Sequence, residues 1–163
     1  MSISKTTTGP ITGEESPAGF STPYEALVGF YRAFNRRDPV LMEQAWLNSQ
    51  EATMDNPIGG VRRGWPEIRD GYVKLFAGNA NVYVEFYDYT IQRGEEWALA
   101  VGRERGRCVT LAGKEIALFI RTSRLFVFRE GRWRQFHHHG SIEVGQLLME
   151  YQEMILGAPL GRE

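Results

Sequence analysis

The chain has 163 residues, 42% hydrophobic and 12% aromatic, enough for one domain whose core needs no metal or disulfide staple. Lys and Arg total 19 against 20 Asp and Glu, a net charge of −1 that excludes the basic stripe of an electrostatic nucleic-acid or membrane binder. Cys108 is the single cysteine, so no internal disulfide forms and a reducing, cytoplasmic setting is expected, with no signal peptide, anchor or bilayer-spanning run.

Residues 1–20 are rich in Ser, Thr, Gly and Pro and read as a disordered tail. Thr22-Pro23-Tyr24-Glu25 has the form of a capping box with proline at the first helical position. Leu27, Phe30, Tyr31 and Phe34 follow at helical spacing and give that helix an aromatic face. Asp38-Pro39 opens a second, short helix with Leu41, Ala45 and Trp46 on one side. "EATMDNPIGG" reads as a short strand ending in a Pro-Gly turn. Pro66 starts a third helix, with Ile68, Tyr72, Leu75 and Phe76 inward and Gly78 as its stop.

The period then changes. "NVYVEFYDYTIQR", "WALAVGRERGRCV", "EIALFIRTSRLFVF" and "RWRQFHHHGS" are four β-rich runs, separated by the hairpin-like "RGEE", "LAGK" and "REGR". "SIEVGQLLMEYQEMILG" closes the chain as a helix with Leu147, Leu148, Tyr151, Met154 and Ile155 on its apolar face. Helices followed by a β-meander mean an α+β domain, with helices covering one face of a curved antiparallel sheet. The divisions expected are a tail over 1–20, a domain over 21–142, and a C-terminal helix and tail over 143–163.

Three stretches, "FYRAFNRRDPVLMEQAW", "ATMDNPIGGVRRGWPEIRDGY" and "REGRWRQFHHHGS", carry a resemblance to the nuclear transport factor 2-like superfamily and its SnoaL-like branch, over roughly residues 22–142. The resemblance implies a cystatin-like cone, with the N-terminal helices on the concave face of the sheet. It does not specify a reaction, because the fold hosts isomerases, cyclases, dehydratases, hydrolases and assembly domains. "ATMDNPIGG" is similar to the segment of ketosteroid isomerase that carries its general base, but Asn56 stands at that position and Asp55 lies one residue early. The isomerase's oxyanion tyrosine falls at Phe30 and its protonated aspartate at Arg124, so that chemistry is excluded. "WRQFHHHGS" is similar to the end of the calcium/calmodulin-dependent protein kinase II association domain. That domain lines a cavity with arginines, and two of those positions match Arg103 and Arg124, while a third falls at Gly140.

The histidine run divides by strand alternation. Trp133, Gln135, His137, His139 and Ser141 form one set, Arg134, Phe136, His138 and Gly140 the other, and the resemblance places the second set in the cavity. His138 is then the cavity histidine, able to act as base or hydrogen-bond partner near neutral pH. His137 and His139 fall on the convex face with no carboxylate spaced to join them, so neither a metal nor a cofactor is expected.

Arg103 and Arg124 are expected to share the cavity, partnered either by an internal carboxylate (Asp88, Glu104 or Asp55) or by a bound anion. Phe30, Phe34, Trp46, Tyr72 and Phe136 would supply apolar walls and Asn56 a polar contact. The leading reading is a cavity for a small organic anion. The alternatives are a SnoaL-like lyase, isomerase or cyclase using His138 or Asp55 as general base, and a non-catalytic association domain. A homodimer is expected through a convex face carrying Phe119, Leu125, Val127, Trp133 and the two outer histidines.

Overall fold

The computed structural model describes residues 2–5, 9–16 and 19–157. Three helices come first: α1 (Pro23–Asn35), α2 (Pro39–Ala45) and α3 (Trp65–Ala77), with the short strands β2 (Thr53–Asp55) and β3 (Arg62–Arg63) between the last two. Four long strands follow, β4 (Ala80–Arg93), β5 (Trp97–Thr110), β6 (Glu115–Arg129) and β7 (Arg132–Ser141), and then α4 (Gly145–Leu156). With β1 (Ser2–Lys5), the strands form one curled sheet in the order β1-β4-β5-β6-β7-β2-β3. This is the α+β architecture the sequence implied, with one addition. β2 lies parallel to β7, whereas every other pair in the sheet is antiparallel.

Local chemistry starts and stops the elements. The Thr22 hydroxyl accepts from the Glu25 amide at 3.1 Å, and Glu25 reaches back to the Ser21 amide at 3.2 Å, one residue beyond the reciprocal bond of an ideal capping box. Asp38 accepts from the amides of Val40 and Leu41, capping α2 in front of Pro39. The β6–β7 hairpin turns on Glu130 and Gly131, both at positive φ, as the right-handed twist of the flanking strands favours.

The N-terminal expectation needs correction. Ile11 is 0% exposed and exchanges backbone bonds of 2.8 and 2.9 Å with Phe86. Arg32 donates to the carbonyls of Gly13 and Glu15, and Asn35 to that of Thr12. A Cβ at Gly13 would stand 2.3 Å from the Arg32 amide, so only glycine allows this approach. Ser2–Lys5 pairs with Thr90–Arg93. Composition misled here: one isoleucine anchor and one glycine suffice to dock a Ser/Thr-rich segment. The rest of the expected tail, residues 1, 6–8, 17 and 18, lies outside the described residues, as does 158–163 at the other end.

The core sits between the inner face of the sheet and α1–α3. Phe30, Tyr31, Phe86, Phe126, Trp46 and Trp133 are all at most 2% exposed. Trp133 therefore belongs to the core and not to the convex face. No helix among the described residues is long and apolar enough to cross a membrane. If Ile11 is a core residue, Ile11→Ala should cost about 2–5 kcal/mol of unfolding free energy in urea. A loss below about 0.5 kcal/mol, the range of ordinary surface substitutions, would show that the segment adds nothing to the fold.

Candidate functional site

The inner face of β6 presents Leu118, Ile120, Thr122, Arg124 and Phe126, all buried at strand period. β5 brings Ala98, Ala100 and Glu104 to the same side. Arg124 and Glu104, with side chains 2% and 5% exposed, form an ion pair at 2.7 Å. The guanidinium also donates to Gln135 Oε1 at 2.9 Å and to the Tyr31 hydroxyl at 3.2 Å, and it lies 3.7 Å from the Phe30 ring centre. Tyr31 in turn donates to Glu104 Oε1 at 2.6 Å. Burial alone would lower the Arg124 pKa, but Tyr31, Glu104 and Tyr72 outweigh it and raise the value above its ordinary range. Burial pushes Tyr72 up to about 12.

Beside this network lies an inner chamber of about 40 Å³, walled by Phe30, Phe34, Val84, Ile120 and Tyr151 and reached by Glu104, Arg124 and His138. That is space for a few waters or a polar head group. A second hollow of about 130 Å³ adjoins it between α3 and the end of α4, sharing Asn56, Ile58, Tyr72 and Leu75. His138 is 6% exposed, and neither ring nitrogen has a hydrogen-bond partner among the described residues. Burial first, then the Arg124 charge and the flanking imidazoles, holds its pKa well below 6.5, so the ring is neutral. A neutral imidazole offers one N–H and one lone pair. A Cβ on Gly140 would come within 3.3 Å of Nε2, so that glycine keeps the ring edge clear.

The expected residues separate into two groups. Phe30, Phe34, Asn56, Tyr72, Arg124 and His138 do line the inner chamber. Asn56, however, spends its carbonyl oxygen on the Ile58 amide within the turn. Trp46 is a core residue stacked on Trp65 and does not reach the chamber. Arg103 is corrected: its side chain is 53% exposed and pairs with Asp88 at 3.3 Å outside the cavity, because Glu104 takes the inward position on β5.

The faces of β7 change partway along the strand. Gln135 pairs with Phe126 and His137 with Leu125, leaving Phe136 as the extra residue of a β-bulge. Trp133 and Gln135 therefore point inward before the bulge, and His138 and Gly140 after it. Phe136, expected in the cavity, does not line it.

Asp55 is also outside. The parallel register of β2 on β7 sets Thr53 beside His137 and Asp55 beside His139. His139 Nδ1 lies 2.7 Å from Asp55 Oδ2, His137 Nε2 lies 3.7 Å from Oδ1, and His137 Nδ1 lies 2.7 Å from the Thr53 hydroxyl. A carboxylate does stand between the two outer imidazoles, contrary to the sequence expectation. Among the described residues no group of three or more His, Cys, Asp or Glu side chains is arranged to hold a metal ion.

Glu104 and Tyr151 are the polar chamber residues that sequence reasoning passed over as site residues, beside the apolar Pro57, Ile58, Leu75, Val82, Val84 and Ile120. Glu104 had a signal, since it shares the β5 alternation with Ala100 and buried Cys108. Tyr151 had none beyond its place on the apolar face of α4.

The sequence profile of the SnoaL-like domain matches residues 24–145. No curated protein matches the chain by sequence. Among solved structures, it is similar to a protein from Thiobacillus denitrificans described as a calcium/calmodulin-dependent protein kinase type II association domain: 22% identity, 77% of this chain and 98% of the other, TM-score 0.62. It is also similar to a protein from Streptomyces avermitilis described as a dehydratase of the nuclear transport factor 2-like family: 20% identity, 74% and 93% coverage, TM-score 0.64. A ketosteroid isomerase-like protein from Erwinia carotovora atroseptica matches with 18% identity, 74% and 93% coverage and TM-score 0.63. At these identities the likeness is one of fold.

Removing one half of a buried pair strands the other. Arg124→Ala should therefore cost about 3–5 kcal/mol in urea unfolding, while Arg103→Ala, at an exposed pair, should cost less than about 1 kcal/mol. Equal losses would contradict the assignment of faces. His138 adds a pH dependence of definite sign. Once unfolded it takes up a proton near its ordinary value of about 6.5, whereas the folded ring does not. Stability should fall as pH drops below that value, by up to ~1.4 kcal/mol per pH unit, and His138→Gln should remove this component. A pH profile identical in the two proteins would mean that the folded ring is not held neutral.

Proposed function

We propose, for a chain that belongs to the SnoaL-like family, that the cone is a receptor for a small, largely apolar molecule whose polar group bonds the His138 imidazole. One observation carries this reading: a buried ring with two unpartnered nitrogens at the wall of a chamber that, apart from Asn56 and the Glu104–Arg124 pair, is lined by aromatic and aliphatic side chains. Leaving such a group unbonded costs about 1–3 kcal/mol, a cost that a bound polar atom offsets. The small organic anion expected from two cavity arginines loses both supports, since Arg103 pairs outside and Glu104 already meets the Arg124 charge. A net-neutral cavity favours an uncharged ligand.

The enzymatic alternative, a lyase, isomerase or cyclase, rests on the same imidazole. Asp55 is committed to His139 on the outer face, which leaves His138 as its only base among the two candidates. Burial and the nearby guanidinium disfavour the protonated ring, so His138 suits hydrogen bonding better than proton abstraction. The association reading draws on the outer sheet face, where Trp97, Val101 and Phe119 are 37%, 41% and 57% exposed. A homodimer through that face remains our proposal for the assembly, compatible with a ligand inside the cone.

A thermal-shift screen of small neutral molecules and small carboxylates tests the receptor. Neutral compounds should stabilise the fold by about 2.7 kcal/mol at a hundred times their dissociation constant. Carboxylates should not, and His138→Phe should abolish the response. Stabilisation by carboxylates alone would restore the anion. For the assembly, light scattering at micromolar concentration should give a dimer, and Phe119→Asp should give a monomer; a monomeric wild type would rule the interface out.

A further inference from the structure

The outer hollow of about 130 Å³ differs in charge from the chamber beside it. Met54, Ile58, Leu75 and Ile155 are among its apolar walls, and the charged residues that line it, among those described, are Arg62 and Lys74. Register brings Arg62 there: β3 sets it directly opposite the buried Met54 of β2, and directly opposite residues share a face of the sheet. Its guanidinium lies against α3 at Gly71, another lining residue. A Cβ at Gly71 would stand 2.8 Å from Arg62 Nε and 3.0 Å from Cζ, so this mid-helix glycine provides the seat. Glycine inside a helix costs stability relative to alanine, and here the space it leaves holds a cation. The carboxylates nearby are engaged elsewhere. Asp70 pairs with Lys74 at 2.8 Å, and Glu67 accepts from the Arg63 amide at 2.9 Å. Among the described residues the half-buried Arg62 forms no ion pair, and its guanidinium makes one long hydrogen bond, 3.4 Å to the Glu67 carbonyl. Most of its five N–H donors are left for another acceptor.

We infer that Arg62 binds a carboxylate at the outer end of the ligand, so that the molecule accepted is an aryl or alkyl acid with an uncharged polar group at its inner end. This rests on the receptor reading above and extends it: the part inside the inner chamber stays uncharged, and the acid sits beyond it, in the adjoining hollow. The two hollows share Asn56, Ile58, Tyr72 and Leu75, so one molecule of modest length meets both. A guanidinium matches a carboxylate with two parallel N–H donors. An ammonium would face two cations with no acid lining the hollow. A short carboxylate, as in the screen above, lacks the apolar body that fills the space between the two ends.

Three probes that differ only at the outer end test this by calorimetry: para-hydroxyphenylpropionate, its primary amide and the corresponding primary amine. Each carries the same phenol, uncharged at neutral pH, for the inner end. The wild-type chain should bind the acid at least about fivefold tighter than the amide, and the amine more weakly than either. The acid's advantage should shrink as salt is raised. In Arg62→Gln the acid and the amide should bind within about twofold of each other. Gly71→Ala should have the same effect by displacing the guanidinium; if that variant does not fold, Arg62→Gln decides. Equal binding of the acid and either other probe to the wild type would overturn the carboxylate inference while leaving the receptor standing. A preference for the acid that survives Arg62→Gln would overturn the assignment to Arg62, and one that survives Gly71→Ala would overturn the role of the glycine seat. No binding by any of the three would overturn the inference together with the receptor.

Discussion

A guanidinium 2% exposed to solvent, held inside a cone of aromatic side chains, is the constraint on which the rest of this molecule depends. Taking such a charge out of water costs several kcal/mol before any partner is counted. Arg124 offsets that cost by collecting groups from every neighbouring layer: Glu104 from β5, Gln135 from β7, and Tyr31 and the Phe30 ring from α1. The network therefore fixes the seat of α1 on the sheet as well as the charge of the cavity. Its positive field also reaches His138, directly paired with Arg124 across β6 and β7, and opposes protonation of that ring.

Two consequences follow for function. In the inner chamber the Arg124 and Glu104 charges offset each other, so the proposed ligand would not be recruited there by charge. What the described residues leave without hydrogen bonds at its wall is the His138 ring. Small-molecule sites commonly combine apolar walls with a few placed polar groups. Here the polar groups and the walls come from the same layers that build the core, so the proposed binding would be coupled to stability through the same side chains.

Much of this was legible in the sequence, and the reasons differ by element. Thr22-Pro23 and Asp38-Pro39 announced helix starts because caps act within a few residues. The long strands and their turns were visible in a period of two and in glycines such as Gly113 and Gly131. The structure places His138 at the chamber wall, and Glu104 was named among the possible partners of the arginines. The failures all arose where a local rule met a non-local event. An alternation count cannot see that Phe136 is a bulge, so Trp133 and Gln135 were put on the wrong face. Arg103 was carried to the cavity by resemblance, although its neighbour Glu104 occupies the inward position. Asp55 meets His139 only because a three-residue strand lies parallel to the end of β7, 84 residues away in the chain.

The proposed receptor depends on His138 being a neutral, unbonded ring inside the cone, and ring-nitrogen NMR reports that state directly. On uniformly ¹⁵N-labelled protein, long-range proton–nitrogen spectra recorded from pH 7.5 down to 5 should show one protonated and one bare nitrogen for His138 throughout. The bare nitrogen, the protonated one or both should shift when a neutral ligand fills the chamber. A His138 ring that takes up its second proton near its ordinary value of about 6.5, or whose nitrogens ignore every bound ligand, would contradict the account.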